Sequence, residues 1–187
     1  MTRLLIALWF VSLPAWSVGL VLDPAKSRVS FTYQQMGSDV EGEVKRYKAN
    51  IEFDTERPEA GQVIVIINPA DVDAGHPDAN SELLRPTFFD VPRFPQARFE
   101  STRIKPLPNS RYAVEGKLTI KGVTRPINSR AHIKAAGTAL QLLGTFDLKR
   151  LDFGIGSGIW NDVSVLGNDI RVTYSLRLLP APAAKKK

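Results

Sequence analysis

Hydrophobic and polar residues alternate with a period of two along most of the chain. Val29, Phe31 and Tyr33 share one phase, with Ser30, Thr32 and Gln34 on the other. Tyr47, Ala49, Ile51 and Phe53 oppose Lys48, Asn50, Glu52 and Asp54. Tyr112, Val114, Gly116, Leu118 and Ile120 oppose Ala113, Glu115, Lys117 and Thr119. Ile170, Val172, Tyr174, Leu176 and Leu178 oppose Arg171, Thr173, Ser175 and Arg177. Neighbouring side chains of a strand point to opposite faces, so these runs describe antiparallel strands with an apolar side inward and a polar side in water. Weaker runs at residues 63–67, 97–104, 127–135 and 140–148 bring the expectation to about eight strands. Between Val44 and Tyr47 the apolar phase slips from even to odd positions, which predicts a β-bulge near Lys45-Arg46. Residues 63–67 are apolar on both faces, so their outer side needs a cover.

Several of these runs are longer than a typical strand of about five or six residues. Long tilted strands suit a closed barrel, which leaves no sticky edges, while an immunoglobulin-like sandwich shares the same alternation. Strand length favours the barrel. One irregular segment, from about residue 68 to 95, interrupts the pattern and carries a predicted short helix over residues 78–85, ended by Pro86. Connections of that length are commonly functional. The fold class is therefore all-β, with a short helix in a long insertion.

The first residues belong to a different object. Arg3, the apolar run Leu4 to Val11, Pro14 and the small-x-small triplet Ala15-Trp16-Ser17 read as a cleaved secretory signal over residues 1–17. The apolar run is too short to span a bilayer. Residues 18–180 then form a single domain, and 181–187 a disordered basic tail. The formal charge of +6 drops to a small positive value once Arg3 and the terminal lysines are set aside. No stripe of Lys and Arg interleaved with aromatics remains, which excludes nucleic-acid binding. The absence of cysteine among 187 residues excludes disulfides, zinc ribbons, thiol catalysis and iron–sulfur ligation. An exported chain of this kind suits a bacterial periplasm.

Candidate chemistry is sparse. Gly154-Ile155-Gly156-Ser157-Gly158 has neither the spacing nor the strand–helix setting of a phosphate loop or a nucleophile elbow, and reads as a flexible turn. His132 falls on the polar phase of its strand and reads as a surface residue. His76 lies near Asp71, Asp73 and Asp78, a set that offers a mononuclear metal site or an acid/base pair for a hydrolase or isomerase. The competing reading, turn-forming and helix-capping residues, is favoured because Asp and Asn prefer those places. Glu41 and Glu43 share one side of a strand without an opposing pair, which is too little for glycoside chemistry. What remains is apolar and aromatic: Leu83, Leu84, Phe88, Phe89 and Phe94 near the long segment, and Trp160 beyond the glycine turn. These either plug a barrel end as ordinary core or line a cavity, since mouths of barrels are favoured ligand sites. A structural or interaction domain with a filled core, serving a membrane cytochrome for example, is the further alternative.

Four ordered stretches resemble the YceI-like proteins: residues 21–31 (Val21-Leu22-Asp23-Pro24-Ala25-Lys26 onward), residues 88–102 (Phe88-Phe89-Asp90-Val91-Pro92-Arg93-Phe94-Pro95 onward), residues 112–126 (with Gly116-Lys117-Leu118-Thr119-Ile120-Lys121-Gly122) and Arg150-Leu151-Asp152-Phe153-Gly154. The insertion departs from the Leu-rich helix with Arg and His that many members carry, and the Gly158-Ile159-Trp160 segment resembles another branch. The resemblance implies an eight-stranded lipocalin-like barrel, exported to the periplasm, holding an isoprenoid or polyprenyl lipid such as a quinone as ligand rather than cofactor. It also implies no enzymatic activity, homodimers, and transient contact with a membrane or membrane cytochrome. On that reading inward Phe31, Tyr33, Tyr47, Phe53, Phe99, Leu118, Phe146 and Val172 supply the wall, with Leu83, Phe88 and Phe89 at the mouth. Arg85, Trp160 and Asn161 are the candidates for head-group contact. No metal site is expected.

Overall fold

The computed structural model describes residues 19–54 and 56–181; the segment read as an export signal and the terminal lysines lie outside them. Among the described residues the strands are β1 (Gly19–Gln35), β2 (Ser38–Val44), β3 (Tyr47–Glu52), β4 (Gln62–Ile67), β5 (Val72–Asp73), β6 (Ala97–Leu107), β7 (Arg111–Ile120), β8 (Val123–Ala136), β9 (Ala139–Lys149) and β10 (Asp169–Pro180). One helix, α1 (Pro77–Leu83), lies in the long insertion. It starts a residue before the predicted span, because Pro77 supplies the pre-set first turn and His76 caps it.

Every pairing is antiparallel, and β10 closes back onto β1. Residues 30–35 of β1 pair with β2 while residues 19–20 pair with β3, so β2 and β3 share one place in the wall. β4 and β5 likewise follow one another along β3 and β2. Ten strands thus make eight staves of a closed barrel, and the sandwich alternative falls.

The phase slip between Val44 and Tyr47 is not a bulge. The strand breaks at Lys45 and Arg46, and both residues are held from outside it. The Lys45 N–H donates to the Asp71 carbonyl at 2.8 Å, and the Arg46 guanidinium donates to the Asp71 carboxylate at 2.9 and 2.6 Å. Register irregularities sit elsewhere, in β1 between Asp23 and Arg28 and in β6 between Ser101 and Arg103. The first contains Pro24, which has no N–H to give a ladder. Among the described residues no helix packs on the outer face of β4. Ile66 stands in register between Lys48 and Arg98, and Ile64 between Asn50 and Glu100; the stems of such long side chains shield apolar surface while their heads stay wet.

Two apolar clusters mark the two ends of the barrel. Ile51, Phe53, Ile104, Tyr112, Leu176 and Leu178 gather where the chain turns tightly between β6 and β7 and between β8 and β9, beside the longer connection from β3 to β4. Tyr33, Phe88, Leu118, Ile120, Phe153 and Leu166 gather at the other end, beneath the connections 68–96 and 150–168. These are called the hairpin end and the looped end below.

Candidate functional site

The inward side chains do not fill the barrel. A cavity of about 330 Å³ extends between the two clusters, touching Ile51 and Leu178 at one end and Phe88 and Leu166 at the other. That volume is within the range of about 300–1,000 Å³ for ligand pockets. From the strands, Phe31, Tyr33, Tyr47, Phe99, Leu118, Phe146 and Val172 line it, as does Phe53 just past β3. From the connections come Leu83, Phe88, Phe89 and Trp160.

Arg85 and Asn161 do not line it. The turn after α1, in which the Phe88 and Asp90 N–H groups both donate to the Arg85 carbonyl, leaves the Arg85 side chain 67% exposed. Asn161 follows Trp160 in the 3-10 turn Gly158–Asn161 and is exposed. Consecutive residues of such a turn diverge by about 120°, so a Trp160 turned toward the cavity sends Asn161 outward.

Glu82, which the sequence reading passed over, does line the cavity. Its Oε1 accepts from Trp160 Nε1 at 3.2 Å and from Thr87 Oγ1 at 3.4 Å, and its Oε2 forms an ion pair with Arg85, 3.0 Å from Nε. Arg85 therefore acts through Glu82. The carboxylate latches α1 to the turn that carries Trp160, whose indole meets the Phe88 ring edge-on at 5.7 Å. An i,i+3 acid–base pair beside the aromatic run was the available signal.

Arg150 organises this end and is only 1% exposed. Its Nε donates to the Gly167 carbonyl at 2.9 Å, Nη1 to Ile155 and Gly156 at 2.9 and 3.0 Å, and Nη2 to Trp160 and Leu166 at 2.7 and 2.6 Å. All five guanidinium N–H groups are thereby committed to carbonyls of one connection. Burial pulls its pKa below the usual arginine range. Positive φ at Gly154, Gly156 and Gly158 lets the chain curl so that its carbonyls meet one cation. The glycine run is a turn, as read, but one wrapped onto Arg150. Lys121 does the same on a smaller scale, donating to the Pro86 carbonyl at 2.7 Å and the Gly154 carbonyl at 2.8 Å, and burial lowers its pKa.

Inside, the tyrosine hydroxyls are mostly engaged with the wall. Tyr33 donates to the Ala74 carbonyl at 3.0 Å. Ser129 donates to the Thr145 carbonyl at 3.0 Å, so the 2.8 Å contact between Ser129 and Tyr174 has Tyr174 as donor. Burial raises the pKa of both phenols. The Tyr47 hydroxyl is buried without a hydrogen-bond partner. Ser27 lies beside it, but that hydroxyl donates to the Asp23 carbonyl and accepts from the Arg177 N–H. Burial raises the Tyr47 pKa, against a smaller lowering from Ser27.

The remaining titratable candidates sit apart from the cavity. His76 Nδ1 accepts the Asp78 N–H at 3.3 Å as the helix cap. Asp71 binds Arg46, and Asp73 accepts from Gly75 and Asn80. Among the described residues no three His, Cys, Asp or Glu side chains gather as metal ligands would. Arg28 bridges Glu41 and Glu43 at 3.3 Å each.

An antiparallel barrel of eight staves, closed on itself around an apolar cavity, defines a lipocalin-like fold. The YceI-like domain matches residues 20–178, and the chain belongs to that family. A UPF0312 protein of Yersinia pestis (strain Pestoides F) is 34% identical over 110 residues, which is 58% of this chain; the chain spans 57% of that protein's length. The crystal structure of BcnA from Burkholderia cenocepacia superposes with a TM-score of 0.81 at 31% identity, covering 84% of this chain and 99% of that one. A polyisoprenoid binding domain from Saccharophagus degradans shares the fold, with a TM-score of 0.69 at 15% identity over 87% of this chain and 99% of that one.

Proposed function

We propose that the protein is a non-enzymatic carrier that stores or transports an isoprenoid or polyprenyl lipid, quinones among them, inside its barrel. The observation that carries this reading is the cavity itself, apolar along its length and bounded by aromatic and branched side chains. An isoprenoid tail gains about 0.8 kcal/mol for each methylene-sized unit moved from water to such a wall. The methyl branches of the chain suit a wall that offers shape rather than a fixed pattern of hydrogen bonds. The family and the Saccharophagus domain support the same ligand class. The leading segment, read as an export signal, supports action in the periplasm. Met36, Ile159 and Val163 are 75%, 84% and 56% exposed on the connections of the looped end, which supports transient membrane contact there.

Trp160 provides the test. Trp9 and Trp16 lie in the segment read as an export signal, so the processed chain keeps Trp160 as its lone tryptophan. Titration with a polyprenol or a prenylated quinone should change its emission saturably at a stoichiometry of one. No response to either ligand, with Trp160 still responsive to denaturant, would overturn the reading.

A further inference from the structure

Three inward positions of the wall are glycines over which an aromatic ring from a neighbouring strand lies flat. A methyl group added at Gly42 would stand 2.6 Å from Phe31 Cε2, at Gly116 2.5 Å from Phe99 Cζ, and at Gly144 2.7 Å from Tyr174 Cε2. All three rings line the cavity. Gly42 and Gly116 also face the carbonyls of Asp73 and Glu100, each 2.7 Å from the added atom, so a side chain there would strain the strands themselves. At Gly144 the three nearest atoms all belong to Tyr174. Here the position of the ring can be separated from the integrity of the wall.

Tyr174 of β10 stands directly opposite Gly144 of β9. Its hydroxyl reaches across β9 to Ser129 of β8, and the serine is anchored in turn on Thr145. The phenol is therefore held along the wall, packed against the hairpin-end cluster. An added Cβ at residue 144 removes that berth. The sheet closes the outward direction, so the displaced ring can only turn into the cavity.

We propose that the Gly144–Tyr174–Ser129 unit holds the middle of the cavity open toward the hairpin end, and so sets the longest prenyl chain the protein can enclose. This rests on the lipid-binding reading. Affinity for a series of prenols should rise by about four-fold for each methylene-sized unit buried, until the cavity is filled, and then level off. A ring swung inward at residue 174 brings that break point forward, because it cuts off the stretch of cavity that runs on to Leu178.

The test measures Trp160 titrations of the processed chain with all-trans prenols of increasing length. Gly144→Ala should move the break point to a shorter chain. At the wild-type break-point length it should weaken binding by about fifteen-fold, the loss expected when roughly two methylene-sized units are expelled, while the shortest prenols bind as before. Tyr174→Leu in the Gly144→Ala background should restore the longer chains. Tyr174→Leu alone, which adds no atom to the wall and decides the matter should Gly144→Ala fail to fold, should extend the series. An unchanged break point in Gly144→Ala, a loss equal at all lengths, or a Tyr174→Leu chain that weakens every prenol alike would overturn the proposal while leaving lipid binding intact. A wild-type chain that takes up no prenol of any length would overturn both.

Discussion

The two ends of the barrel are shut by different means. At the hairpin end Ile51, Ile104 and Leu178 are 2%, 2% and 1% exposed, while the buried charged residues among those described, Asp90 and Arg150, both lie on the connections of the other end. Dispersion and burial do the work at the hairpin end, and they demand volume more than direction. At the looped end two long connections are strapped by cations on carbonyls: Arg150 by five bonds, Lys121 by two, with the Glu82 carboxylate latching Trp160 to α1. Hydrogen bonds of this kind demand direction, and a buried group left unpaired is costly. One end is a floor of packed side chains. The other is a roof that hangs on a few polar residues.

The largest effect should come from Arg150. Arg150→Met leaves several buried carbonyls of the 150–168 connection without donors, and we expect a loss of at least about 4 kcal/mol. A melting temperature lowered by less than about 5 °C would contradict the strap, since a chain of this size shifts by about 2–4 °C per kcal/mol. Leu178→Ala should cost about 3 kcal/mol, as truncation of a packed leucine does. It should leave the Trp160 emission maximum unchanged, because the damage lies at the other end; a red shift would show that the ends are not independent. Glu82→Ala should cost about 1 kcal/mol and shift Trp160 emission to the red, whereas Glu82→Gln, which keeps an acceptor for the indole, should shift it less.

The smallest effect concerns acid. The Asn80 amide, the Gly75 N–H and Lys45 hold the Asp73 carboxyl below the usual carboxylate range. A depressed folded pKa contributes stability above the unfolded value, and that contribution fades as pH falls through the folded one. Asp73→Asn should accordingly flatten the decline of the urea midpoint below pH about 4. An identical decline in both chains would remove Asp73 from the account of the looped end.

The strands were legible because alternation is a local signal, and most residues of the inward phase line the cavity. The step between β2 and β3 was not, because its cause is Asp71, 25 residues from Arg46 in sequence. Arg150 escaped notice for a related reason: an arginine reads as surface unless its partners are known, and here the partners are carbonyls gathered by glycines. Arg85 and Asn161 lie outside the cavity lining because a residue's facing in a connection is set by the turn around it, not by period. Whether the barrel is hollow is a question of volume. Phe31, Phe99 and Tyr174 would fill it if they stood upright, and they lie flat because Gly42, Gly116 and Gly144 leave them room.

Native mass spectrometry of the protein purified from its cells without organic solvent tests the central claim most directly. The account predicts a population of intact chains carrying one adduct each, removed by organic extraction and spaced among themselves by isoprene units. A chain that flies at its bare mass from every preparation, and stays bare after incubation with polyprenol vesicles, would contradict it.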